Sequence, residues 1–129
     1  MLQPAKRRSV GKDPTMVASP DALRSDFADD PEMTELVDMF VRELPERLEA
    51  LEAAWRGGDA LSLRRMAHQL KGAGSGYGFP VVSEAAGLVE AALVECGRAP
   101  EMGLAEVGTR VEALAALCRR AMRGGSGGR

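Results

Sequence analysis

Apolar residues in this chain recur at spacings of 3, 4 and 7 in four successive stretches, and nowhere do they alternate in the period of a strand. Met33, Leu36, Val37, Phe40, Val41 and Leu44 make the first stripe, which resumes after Pro45 with Leu48, Leu51 and Trp55. Leu63, Met66, Leu70, Ala73 and Tyr77 make the second. Val81, Val82, Ala85, Val89, Ala92, Leu93 and Cys96 follow, and then Leu104, Val107, Val111, Leu114, Cys118 and Ala121. Each stretch opens at a capping or first-turn residue: Asp30 before Pro31, Asp59 after Gly57 and Gly58, Pro80, and Pro100. One-sided helices joined by short turns bury their stripes most simply against one another. The spacing therefore predicts an all-α fold, an antiparallel up-down four-helix bundle. Ser19 followed by Pro20 predicts a short extra N-terminal helix through Phe27, and Pro45 predicts a kink or a split in the first long helix.

The 129 residues suffice for one domain with a real core. Residues 1–18, polar and basic, read as a flexible arm, residues 19–123 as the bundle, and the Gly/Ser-rich residues 124–129 as a flexible tail. A net charge of −2 argues against a nucleic-acid binder, which needs a basic excess to displace counterions. No apolar run approaches membrane-spanning length. Arg7 and Arg8 are followed by no hydrophobic export segment, so a cytoplasmic chain is expected; a monomer is expected as well. Cys96 and Cys118, set near the ends of two consecutive helices, read as reduced core thiols too far apart to bridge.

Charge is unevenly spread. Residues 26–59 carry eleven Asp or Glu against three Lys or Arg, whereas residues 60–83 carry Arg64, Arg65 and Lys71 and no acid. The only histidine, His68, lies in that basic stretch. On a helix it points away from the second stripe, and Arg64, Arg65, Lys71, Gly72 and Ser75 share its flank, with no acid near it in the chain. A solvent-facing imidazole beside fixed positive charge suits a group that must hold a phosphoryl. The glycines that follow, at positions 72, 74, 76 and 78, leave two accounts open. The helix ends near Gly72 in a loop, or Gly72 clears the approach to the ring while Gly74 and Gly78 permit close helix contact.

Other chemistries lack their residues. The glycine run follows a helical pattern and matches neither the dinucleotide fingerprint, which would need glycine where Tyr77 stands, nor a phosphate-binding loop. One histidine and two distant cysteines exclude the usual zinc sites, so no metal is expected. A hydrolase triad is disfavoured because no nucleophile elbow accompanies the histidine.

The run AHQLKGAGSGYG, with His68, Lys71 three later, Gly72 four later, Gly78 ten later and the small Ser75 between, resembles the signature of histidine phosphotransfer (HPt) domains of multistep two-component phosphorelays. The preceding acidic helix with its central Pro45 and the following Leu88-Val89-Glu90 are similar as well, and the likeness spans residues 20–122 in architecture and 64–90 in sequence. Phe79 departs from it, since the family often has a small residue there. The resemblance implies that His68 accepts a phosphoryl group on Nε2 from a receiver-domain aspartyl phosphate and relays it to another receiver. A neutral imidazole, with an ordinary pKa near 6.5, keeps a lone pair for that attack. It implies further that Lys71 stabilises phosphoryl charge, and that Arg64, Arg65, Gln69, Gly72, Ser75 and Gly78 dock the receiver or support the site. The chain would need no cofactor of its own, Mg²⁺ belonging to the receiver. It would have no kinase activity, and its partners would be response-regulator receivers and a hybrid or histidine kinase. Two alternatives remain open in the sequence: direct phosphorylation by a kinase catalytic domain, as in chemotaxis kinases, and a helical adaptor that carries no phosphate.

Overall fold

A computed structural model describes residues 22–98 and 100–124, and among these the chain is all-α, with no strand. Four helices follow one another: α1 (Pro31–Arg56), α2 (Ala60–Gly76), α3 (Pro80–Arg98) and α4 (Pro100–Gly124). Their boundaries sit where the local chemistry puts them. The Asp30 carboxylate accepts from the Glu32 amide at 3.0 Å and Pro31 takes the first helical position. Gly58, at φ 70°, turns the chain after α1. Asp59 then caps α2, accepting from the Ser62 amide at 3.1 Å. Hydrogen bonds from the Ser62 hydroxyl and amide hold the Asp59 carboxyl below its usual 3.8.

Among the described residues α1 packs on α2 and α4, α3 packs on α2 and α4, and neither diagonal pair brings its backbones within 8 Å, Cα to Cα. The helices thus close into a ring around one core. Val37, Phe40, Leu44, Leu63, Leu70, Phe79, Val89, Val111 and Leu114 are each 2% exposed or less. Burying each large side chain of this kind stabilises the fold by roughly 1.5–3 kcal/mol. Phe79 is wholly buried, 5.9 Å from Phe40 between ring centroids, so the residue that departs from the family pattern serves the interior. The stripes are narrower than the spacing suggests, since Leu36, Val81 and Leu104 stay exposed.

Several expectations are corrected. Residues 22–30 hold a turn at 26–29 where a short helix was expected, because they are pinned by bonds to other elements; Ser19 to Asp21 lie outside the described residues. Pro45 does not split α1, which runs unbroken through it; the proline is exposed and loses a single amide donor. Of the two accounts left open for the glycine run, the loop beginning near Gly72 does not occur, since α2 continues to Gly76. Cys118 is buried and Cys96 only partly so, although both are free. The expected arm and the tail beyond Gly124 lie outside the described residues, and α4 itself ends on Gly124, one residue past the expected boundary. No helix among them is long and apolar enough to cross a membrane.

Candidate functional site

The middle of α2 carries its side chains in two opposed sets. Ala67, 0% exposed, and Leu70, 1% exposed, face the core. His68 therefore faces out, with 74% of its side chain exposed. Arg64 and Arg65, one turn earlier, and Lys71, Gly72 and Ser75, in the next two turns, are exposed along the same side of the helix.

The ring is not free on both nitrogens. Glu90, on α3, places Oε2 3.0 Å from His68 Nδ1. A carboxylate can only accept, so Nδ1 carries the proton, and in the neutral ring the lone pair sits on Nε2, the nitrogen turned from Glu90. The other oxygen, Oε1, lies 3.9 Å from Lys71 Nζ. One carboxylate, its side chain 20% exposed, thus orients the imidazole and tethers the ammonium at once. The absence of an acid near His68 in the chain is accordingly corrected in space: the acid comes from the neighbouring helix.

Glycine and serine set the distance between α2 and α3. A Cβ on Gly74 would lie 2.8 Å from the Ser83 amide nitrogen, so only glycine admits this approach. The Ser83 hydroxyl donates to the Lys71 carbonyl at 2.7 Å, and a Cβ on Gly87 would already touch the Lys71 stem at 3.7 Å. Contacts therefore step down α2 from 74 to 71 to 68 as they step up α3 from 83 to 87 to 90. Gly72 is different in kind. A Cβ there would meet nothing within 4 Å, and its contribution is a bare helix surface beside His68.

The remaining expected residues divide. Gln69, exposed, lines a groove of about 370 Å³ between α1 and α2, together with Glu43, Glu46, Arg47 and Met66. Gly78 lies apart from the exposed face, buried in the α2–α3 turn at φ 85°. No group of three or more His, Cys, Asp or Glu that could hold a metal occurs among the described residues.

Glu90 was given no role in the sequence reading. A signal for it existed. His68 and Glu90 stand 11 residues either side of Phe79 (79 − 68 = 90 − 79 = 11), which is where an antiparallel hairpin turning at Phe79 brings them level.

The family model described as Hpt domain matches residues 35–124, from early in the first helix to the end of the last. No curated protein and no solved structure matches the chain.

Proposed function

We propose, on the premise that this chain belongs to the Hpt domain family, that it relays a phosphoryl group between receiver-domain aspartates through a phosphohistidine at His68. Membership makes it a phosphotransfer module of two-component signalling. The finer reading rests on one observation: an exposed imidazole whose Nδ1 is held by Glu90, leaving Nε2 as the nucleophile.

In the proposed step the Nε2 lone pair attacks the phosphorus of an aspartyl phosphate in line, an N–P bond forms, and the aspartate carboxylate departs with its P–O electron pair. The ring becomes cationic with its proton still on Nδ1, where the Glu90 carboxylate offsets the charge. Lys71, tethered loosely at 3.9 Å, is within a side-chain movement of the phosphoryl oxygens, and Arg64 and Arg65 extend the positive field. Gly72 and Ser75 leave space for the receiver surface, with Gln69 on the α1 side. Mg²⁺ is carried by the receiver. Transfer to a second receiver reverses the same bonds.

The reading includes an antiparallel up-down bundle, supported by short interhelical turns and the opposed stepping of α2 and α3 contacts, and a monomer at work in the cytoplasm. Incubation with a receiver phosphorylated by a small acyl phosphate should give an acid-labile, base-stable label on the wild type and none on His68→Gln. Equal labelling of the two proteins removes His68 as the acceptor. Labelling by a kinase catalytic domain with ATP, but by no phosphorylated receiver, would instead favour direct phosphorylation.

A further inference from the structure

We propose that residues 22–27 are a working part of the phosphotransfer domain, a strap that holds the glycine-rich last turns of α2 in order by tying them to the C-terminal end of α4. The family match begins at residue 35, so this segment lies outside it.

Three hydrogen bonds fasten the strap. The Leu23 amide donates to the Arg120 carbonyl of α4 at 2.9 Å, the Asp26 amide donates to the Gly78 carbonyl at 2.7 Å, and the Ser25 hydroxyl donates to the Tyr77 carbonyl at 2.6 Å. The Ser25 oxygen also accepts from the Phe27 amide at 2.9 Å, so both its donor and acceptor roles are used. Ser25 is 4% exposed, a polar side chain enclosed where the core is otherwise apolar. The backbones of α2 and α4 come nowhere within 8 Å of each other, Cα to Cα, among the described residues, and the strap bridges this diagonal.

Two glycines make room for it. A Cβ on Gly78 would strike Ser25 Oγ and come within 2.9 Å of the Asp26 nitrogen, while a Cβ on Gly124 would strike the Leu23 carbonyl. These glycines close two different helices, and both face the same short segment.

The end of α2 needs such support. Gly72, Gly74 and Gly76 fall within its last two turns, and no basic residue complements its C-terminal carbonyls. Glycine-rich helix frays unless tertiary contacts hold it. Those turns carry Gly72 and Ser75, beside His68, so the order of the docking face depends on the strap. This last consequence rests on the phosphotransfer reading; the ordering of α2 does not.

Ser25→Ala, in the full chain, removes one of the three fastening hydrogen bonds and the internal bond from the Phe27 amide without adding bulk, and Gly78→Ala displaces the strap sterically. In Ser25→Ala, amide hydrogen exchange at residues 74–79 should quicken about tenfold, while residues 86–92 of α3 exchange as in the wild type. Transfer from a phosphorylated receiver should fall several-fold, with the Nδ1–H tautomer of His68 unchanged by NMR. Unaltered exchange at 74–79, equal acceleration throughout the domain, or faster local exchange with full transfer would each overturn the strap. If the wild type itself takes no label, the phosphotransfer reading fails, and the exchange result still decides the ordering of α2.

Discussion

Glu90 and His68, level across the α2–α3 pair, meet with a carboxylate oxygen 3.0 Å from the ring nitrogen Nδ1, while the other oxygen of the same carboxylate reaches toward Lys71 at 3.9 Å. Glu90→Ala should therefore leave the imidazole free to exchange tautomers and should lower the initial rate of labelling about tenfold, the equivalent of ~1.4 kcal/mol. Glu90→Gln keeps an acceptor and should fall between. Labelling rates together with long-range ¹H–¹⁵N spectra of the ring check this, and a wild-type rate with mixed tautomers in Glu90→Ala would sink it.

Gly72 and Gly74, two residues apart, should respond to alanine with opposite signs. Gly72→Ala fills open space on a helix and should stabilise the fold by roughly 0.5–1 kcal/mol. Gly74→Ala forces a Cβ against the Ser83 backbone at 2.8 Å and should destabilise it by about 1–3 kcal/mol. Urea unfolding followed by the fluorescence of Trp55 measures both. Gly72→Leu should be at least as stable as the wild type yet lose receiver docking, and undiminished transfer would remove Gly72 from the docking face.

Pro45 is exposed inside an unbroken α1, so Pro45→Ala restores an amide donor for the Val41 carbonyl and removes no packing. We expect a gain of about 1–3 kcal/mol in the same unfolding experiment. A loss would mean that the bundle depends on a proline-bent α1.

Burial pushes the Cys118 thiol up to about 11 from 9.0, slightly opposed by Arg119. Between these values the unfolded chain has released a proton that the folded chain retains. Stability therefore falls as pH rises from about 9 to 11, by roughly 3 kcal/mol in all. Cys118→Ala should flatten that part of the profile whatever its effect at neutral pH. Under native conditions a thiol reagent should find Cys96 first and Cys118 only on unfolding.

Much of this molecule could be read from the order of its residues. The apolar spacing located four helices, because a side chain's face on a helix is set by its number along the chain. Asp30, Asp59, Pro80 and Pro100 marked where they begin, because caps and prolines act within a turn of themselves. The exposure of His68 followed from its place on the helix opposite the stripe of Leu63, Met66, Leu70, Ala73 and Tyr77. Gly72 and Gly74 looked alike in the sequence, and only the position of α3 gave one open space and the other a backbone in contact.

What the chain determined alone was thus local and periodic: helix, cap, exposed imidazole, flanking cations. The partnerships between elements were decided by the packed fold. Glu90 beside His68, and Ser25 beneath the turn at Tyr77, join residues 22 and 52 positions apart. Such contacts arise when helices settle at a depth and register fixed by the volume of the whole core, a quantity that no single stretch of sequence carries.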